Sequence, residues 1–198
     1  MSVKPSRKRN AQADATRAIL IATARRLFAL RGYPDVSVDE IVQAAGVTKG
    51  ALYHHFRDKL ELFHGVVEQI QEAIQERLVA AASRPGDGVS RLRAACHTYL
   101  DACTEGEVGR IVVLDSPAVL GWEAWCTLNR EYGLGFFLER LGAIRSDDPA
   151  IESTAQMLMG ALNVAGRVIA QSDDRTAART QVGTTIDRLL AGITAPTA

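Results

Sequence analysis

The 198-residue chain has few of the residues that carry covalent, metal or extracellular chemistry. Cysteine occurs three times and histidine four times. An odd number of cysteines makes no disulfide framework. Cys96 and Cys103 stand seven apart, about 10 Å along a helix, beyond the reach of a disulfide. No C-x-x-C, H-E-x-x-H, G-x-S-x-G or P-loop spacing occurs, and no G-x-G-x-x-G follows a strand. The expectation is therefore buried thiols, no metal, no cofactor and no enzymatic activity. Apolar runs are short as well. Nothing approaches the ~20 apolar residues of a membrane span, and the basic start has no apolar block behind it to make a signal peptide. A cytoplasmic protein is expected. Net charge is also lacking, with Lys+Arg and Asp+Glu both at 23.

That balance hides a division. Residues 1–57 hold ten Lys+Arg and four Asp+Glu, a net of +6, and residues 58–198 hold thirteen and nineteen, a net of −6. A basic head on an acidic body points to a polyanion as partner of the head alone.

The stretch from Val36 to Lys59, V-S-V-D-E-I-V-Q-A-A-G-V-T-K-G-A-L-Y-H-H-F-R-D-K, is the most informative. Ser37 followed by Glu40 is a capping box that starts a helix at about Val38. Ile41, Ala44 and Ala45 give that helix one apolar face. Gly46 supplies the left-handed residue that ends it. Val47 plugs the turn, and Thr48 caps a second short helix, Lys49 to His55. Two short helices joined by a glycine turn form a helix-turn-helix, whose second helix enters the major groove N-terminus first. Leu52 and Phe56, four apart, anchor one side of it. The other side carries Lys49, Gly50, Ala51, Tyr53, His54 and His55. Gly50 and Ala51 let the backbone approach bases. Lys49 is expected to reach bases, and Ser37, Thr48, Tyr53, His54, His55 and Lys59 to hold phosphates.

Leu20 to Phe63 resembles the DNA-binding domain of the TetR family, the tetracycline-repressor-like regulators. Leu20, Ala24, Leu27, Phe28, Gly32, Tyr33, Ser37, Val38 and Ile41 carry the likeness, then Ala45-Gly46-Val47, Lys49-Gly50, Leu52-Tyr53, His55-Phe56, Lys59 and Leu62-Phe63. Arg25 stands where the family often has an apolar residue. The resemblance implies an all-α fold: an N-terminal three-helix domain over residues 14–57 and a larger helical ligand-binding and dimerisation domain over 58–198. It also implies a lysine at the position of Lys59 beside a DNA phosphate, and an effector pocket among helices four to eight.

Residues 1–13 are polar, basic and unpatterned, and are expected to be a disordered arm. Whether Lys4, Arg7, Lys8 and Arg9 touch DNA is open. Asp14 or Thr16 can cap a first helix to about Arg31, with Leu20, Ala24, Leu27 and Phe28 in one stripe. Asp58 with Glu61 caps a fourth helix to about Ser83. A loop at Arg84–Gly88 precedes a fifth, Val89 to Thr104. Residues 110–114 hold three β-branched side chains, Ile111, Val112 and Val113, but no second strand exists to pair with them, so a short helix is expected. Asp115-Ser116-Pro117 opens a helix to about Ile144. An eighth helix, reached through a loop and N-cap at Ser146–Pro149, runs to about Gln171, and a ninth carries Ala178, Val182, Ile186, Leu189 and Ile193.

Reading about one turn of duplex needs two heads ~34–36 Å apart, hence a homodimer. The last two helices are the candidate interface, through Ile151, Ala155, Leu158, Leu162, Ala165, Ile169, Val182, Ile186, Leu189 and Ile193. Burial of the same residues within one chain is the competing reading. Phe63, Val67, Tyr99, Trp122, Trp125, Tyr132 and Phe136 could line a small-molecule cavity, with His97 and Asn129 as polar groups; aromatics at helical spacing are more often core. The function expected is a ligand-released repressor binding a near-palindromic double-stranded operator. An effector-independent architectural DNA binder, or a helical enzyme using Cys/His chemistry, are the alternatives.

If the head neutralises phosphates, affinity for duplex DNA falls by about a thousandfold between about 50 and 200 mM salt. A fluorescence-anisotropy titration that stays flat with salt excludes DNA as the partner.

Overall fold

The computed structural model describes residues 4–195, with side chains from residue 11 onward. Ten α-helices and no strand occur among them. They are α1 (Lys4–Arg31), α2 (Val38–Ala45), α3 (Lys49–His55), α4 (Lys59–Ala82), α5 (Gly88–Thr104), α6 (Ser116–Leu120), α7 (Trp122–Asn129), α8 (Gly135–Ile144), α9 (Ile151–Gln171) and α10 (Arg175–Thr194). Two stretches, Val108–Asp115 and Arg130–Leu134, are wide π-helical turns. The chain forms two compact units, Met1–Gln69 and Ile70–Ala198. The division falls inside α4 rather than before it, so α4 belongs to both.

The first unit is α1, α2, α3 and the start of α4. Leu20, Ala24 and Phe28 are fully buried, as their stripe predicts, while Leu27 is only half-buried. The helix begins earlier than expected. Residues 1–3 lie outside the described residues, but from Lys4 the supposed arm is part of α1. Thr16 lies inside the helix, its hydroxyl donating to the Gln12 carbonyl, so it is not a cap. Apolar periodicity is blind to such a segment, because Lys, Arg, Ala and Gln support a helix by propensity without a buried face.

Ser37 makes the full capping box. Its Oγ accepts from the Glu40 N–H at 3.2 Å, and the Glu40 carboxylate accepts from the Ser37 N–H at 2.8 Å. Gly46, at φ +67°, ends α2. A side chain there would strain the backbone, although nothing occupies the space beside it. The buried face of α2 is Ile41 and Val42; Ala44 is exposed and Ala45 half-buried, so the face is turned from the one expected. Phe28, Tyr33 and Phe63 meet with ring centroids 4.9 to 5.6 Å apart. Phe63 is therefore core of the first unit, Val67 is buried as well, and neither lines the two cavities described below. Truncating a core phenylalanine typically costs about 3–5 kcal/mol, which is the scale of Phe63's role.

The second unit is built round α9, which packs on α5, α8, α10 and the 108–115 turn. Ala155, Leu158, Leu162, Ala165 and Ile169 are all buried there. They are the monomer's own core, not the exposed seam expected to meet a partner. Ile186 is buried too, Ile151, Val182 and Ile193 are half-buried, and Leu189 is exposed. A 4-3-4 apolar repeat marks a packed face without saying which helix packs on it, and α5 takes that place. Gly166 allows the approach, since a Cβ there would lie 2.9 Å from Cys103 Sγ on α5.

The single helix expected from Ser116 to Ile144 is broken twice. Gly121 has φ +83° and ψ 158°, outside any helix, and the Arg130–Leu134 turn widens the coil. Asp115 does not cap α6; the 108–115 turn runs straight into it, and the Asp115 carboxylate faces Arg110 at 3.4 Å. Nor does Ser146–Pro149 supply the N-cap of α9: that residue is Ala150, whose N–H the Asp148 carboxylate accepts from.

Ser37→Ala is expected to destabilise the first unit by about 1 kcal/mol. Glu40 is held down to about 2, chiefly by the Arg31 guanidinium and then by the Ser37 N–H and hydroxyl. A depressed carboxylate stabilises fully above its ordinary value of 4.5 and loses that contribution as pH falls toward about 2. Glu40→Gln should flatten the acid limb of a pH series of urea melts over that window; an unchanged limb would refute the assignment.

A candidate nucleic-acid interface and a candidate ligand cavity

The turn between α2 and α3 sets the first site. Thr48 Oγ1 accepts from the Ala51 N–H at 3.1 Å and fixes where α3 begins. Leu52 is fully buried and Phe56 nearly so, which turns the opposite side of α3 outward. Lys49, Gly50, Tyr53 and His54 are exposed on that side, and Ala51 and His55 are half-buried. The His54 and His55 rings lie 5.1 Å apart.

Gly50 is informative because the fold does not need it. A Cβ there would meet nothing nearer than Thr48 Oγ1 at 3.9 Å. Glycine in a helix costs ~0.5–1 kcal/mol relative to alanine. The backbone at the start of α3 is thus left bare although no neighbour within the chain requires it.

The cations are held in place within the chain. Lys49 Nζ pairs with Asp39 at 2.8 Å, and that carboxylate raises its pKa. Lys59 Nζ donates to the Tyr33 carbonyl at 2.7 Å and lies 4.0 Å from the Tyr33 ring centre. Partial burial lowers its pKa. The one hydroxyl proton of Ser37 goes to Glu40 at 2.8 Å. Asp39 takes one of the three Nζ donors of Lys49, and Ser37 has no second proton to give. These partners were invisible in the sequence, because Asp39 and Lys49 sit on different helices.

The second site lies in the second unit. A cavity of about 550 Å³ is walled by Tyr99 of α5, Val112 and Val113 of the first wide turn, and Trp122 and Trp125 of α7. Asn129, Arg130 and Leu134 continue the wall, and Gln156, Met159, Asn163, Val164 and Arg167 of α9 complete it. Of the residues named from the sequence, Tyr99, Trp122, Trp125 and Asn129 lie in its wall. Tyr132 lines a second, small cavity of about 40 Å³ against Gln71, Ile74, Gln75 and Leu78 of α4. Phe136 is buried and lines neither. Arg130, Arg167 and Asn163 were missed, because charged and amide side chains on a helix look like solvated surface in the sequence.

Tyr99 donates to Asn163 Oδ1 at 3.2 Å, and Asn163 donates to Asn129 Oδ1 at 3.3 Å. All three residues border both cavities. This polar string is the partition between them.

His97 is not a pocket residue. Its Nε2 lies 2.8 Å from Asp187 and its Nδ1 3.0 Å from an Arg179 nitrogen. Since Arg179 can only donate, Nδ1 is the acceptor and Nε2–H donates to Asp187. Arg93 adds two bonds to Asp187, at 2.7 and 2.6 Å, and with His97 lowers its pKa. Asp101 accepts from Arg179 at 2.6 Å. The group ties α5 to α10. No cluster of metal-binding side chains and no membrane-spanning helix occurs among the described residues.

Comparison with known proteins gives the family of both units. Residues 20–66 match the family described as bacterial regulatory proteins, tetR family, and residues 89–193 match the tetracyclin repressor-like C-terminal domain. The chain belongs to the TetR family of transcriptional regulators. The crystal structure of a TetR-family regulator from Pectobacterium atrosepticum superposes with a TM-score of 0.82 at 35% identity, covering 95% of this chain and 98% of that one. The transcriptional regulator AcrR of Shigella flexneri is 38% identical over 109 residues, 54% of this chain and 51% of AcrR. The transcriptional repressor Rv1474c of Mycobacterium tuberculosis is 37% identical over 110 residues, 54% and 57%. The chain spans about half the length of these two curated relatives. The TetR resemblance read from Leu20 to Phe63 and the all-helical fold both hold.

Gly50→Ala separates stability from recognition. It should raise the melting temperature slightly, by relieving the helix, and weaken operator binding at least tenfold. Lys49→Ala should abolish specific binding and leave the circular dichroism spectrum unchanged. Wild-type operator affinity in both variants would remove α3 from the interface.

Proposed function

We propose that this TetR-family chain is a ligand-released repressor that binds a near-palindromic operator as a homodimer in the cytoplasm. The observation that carries the DNA contact is the outward side of α3, where a glycine the fold does not require stands among exposed Lys49, Tyr53 and His54. Lys49 and the Gly50 backbone approach bases, with Ala51 beside a base methyl or sugar. Thr48, Tyr53, His54 and His55 hold phosphates. Ser37 and Lys59 position the head unless DNA displaces their internal partners.

The dimer face differs from the seam that proved to be core. On the other side of α9, Met157, Val164 and Val168 are 74%, 65% and 46% exposed, with Gly160 and Ala161 between them. The spacing 157, 161, 164, 168 is one helical stripe. Leu189 of α10 is 43% exposed and Gly192 is exposed. Apolar and small side chains left open on two helices suit close packing against a second copy.

The effector acts through α4. A ligand in the large cavity presses on the Tyr99–Asn163–Asn129 partition, whose other side borders Gln71, Ile74 and Gln75. Since α4 runs unbroken from Lys59 to Ala82, a shift there reaches the head. Coupling of this kind is typically ~1–3 kcal/mol, about 5- to 150-fold in operator affinity.

The test uses an operator selected from random duplexes. Met157→Glu with Val168→Asp should give a folded monomer by analytical ultracentrifugation. Its operator affinity should fall on the order of a hundredfold, as the second head's contribution is lost. A double variant that stays dimeric sinks the α9 interface. A monomeric variant with undiminished affinity sinks the need for two heads.

A further inference from the structure

We infer that the large cavity of the second unit takes an aromatic monocarboxylate. The inference rests on the effector reading above and adds the chemistry of the ligand. Trp122 and Trp125 form a broad aromatic wall, their rings 5.2 Å apart and inclined by 36°. Trp122 is 72% exposed, an unusual position for an indole with nothing on it. It is held there by the break at Gly121, where a positive φ ends α6 and restarts the chain as α7.

Two guanidinium groups, Arg130 and Arg167, line the same cavity and are exposed at its rim. Neither has a hydrogen bond or ion pair within the described residues. No aspartate or glutamate lines the cavity. The lining thus carries two positive charges although residues 58–198 have a net charge of −6. Of the neutral polar groups, Tyr99, Asn163 and Asn129 are joined to one another, and Gln156 donates to Glu152 at 3.5 Å. What remains open is a planar apolar wall beside two permanent cations with forked donors. Arginine binds carboxylates through two parallel bonds and does not lose its charge. Arg130 begins a π-helical turn, a widened coil often found at functional sites.

Competing ligand classes use only part of this arrangement. An inorganic anion would engage the arginines and leave the tryptophans, Val112 and Leu134 wet. A neutral hydrocarbon would cover the wall and leave two guanidinium groups unpaired. A cation would meet like charge. At about 550 Å³ the cavity lies in the ordinary range for drug-sized ligands, enough for a fused ring system and not only a single ring.

The chain carries its own reporters. Trp122 and Trp125 are its two tryptophans, and both line the cavity. Cys126 lines it as well and is half-buried, whereas Cys96 and Cys103 are buried with their thiols pushed up to about 12 by desolvation. Alkylation by iodoacetamide therefore reports Cys126.

The probes are 2-naphthoate, 2-naphthamide and 2-naphthylmethylamine, titrated into the full chain by calorimetry, with tryptophan quenching and Cys126 protection as site readouts. Naphthoate is expected to bind at least tenfold tighter than the amide, to quench both indoles and to slow alkylation of Cys126. In Arg130→Gln/Arg167→Gln that preference should collapse while amide binding is unchanged, which also shows that the variant is folded. An amide or amine that binds as well as the acid, or a preference that survives the double substitution, overturns the charge assignment and leaves the effector site standing. If no probe quenches or protects, the ligand class is overturned together with the effector reading of the cavity.

Discussion

The angle between α2 and α3 is the constraint on which recognition depends. Four local devices set it: the Ser37–Glu40 box, the left-handed Gly46, the Thr48 cap and the buried Leu52. Each satisfies backbone groups that a short helix leaves open at its ends. An eight-residue helix and a seven-residue one are too short to persist alone in water. Capped and packed on α1, they hold seven residues in one geometry with one side unused. That unused side is what DNA can read.

The cavity of the second unit follows from a different constraint. A continuous helix from Ser116 to Ile144 would bury its aromatics in a row and leave no room. Gly121 and the wide turn at Arg130 break the row, so Trp122 and Trp125 stand as a wall while Phe136 and Phe137 go to the core. Close packing elsewhere makes the opening stand out: Gly166 brings α9 against Cys103, and Gly109 brings the first wide turn against Ala170. The half-buried partition of Tyr99, Asn163 and Asn129 is hydrogen-bonded along its length.

Charge is distributed to match these two roles. The basic excess lies in the part that carries α3, and the acidic excess lies in the body, which then does not compete for the same polyanion. Within the body the only charged side chains lining the large cavity are arginines. Two cations of the head have partners within the chain, Lys49 in Asp39 and Lys59 in the Tyr33 carbonyl.

Several features were decided locally and could be read from the chain. The capping box, the glycine turn and the Leu52–Phe56 anchor involve neighbours within four residues, so α2 and α3 fall where their residues predict. The all-helical class and the family likeness rest on the same short-range pattern. Tertiary structure decided the rest. The α9 repeat says that a face is packed, yet only the placement of α5 shows that it is packed inside the monomer, leaving Met157, Val164 and Val168 outside. His97 looked like a pocket donor until Asp187 and Arg179, some eighty to ninety residues further along, closed on it. The helix from Lys4 has no apolar face to announce it, and Arg130 and Arg167, on separate helical segments, line one cavity only in the folded chain. Period and capping are properties of a few consecutive residues; which face meets which, and which charge is left without a partner, depends on contacts the chain makes only after it has folded.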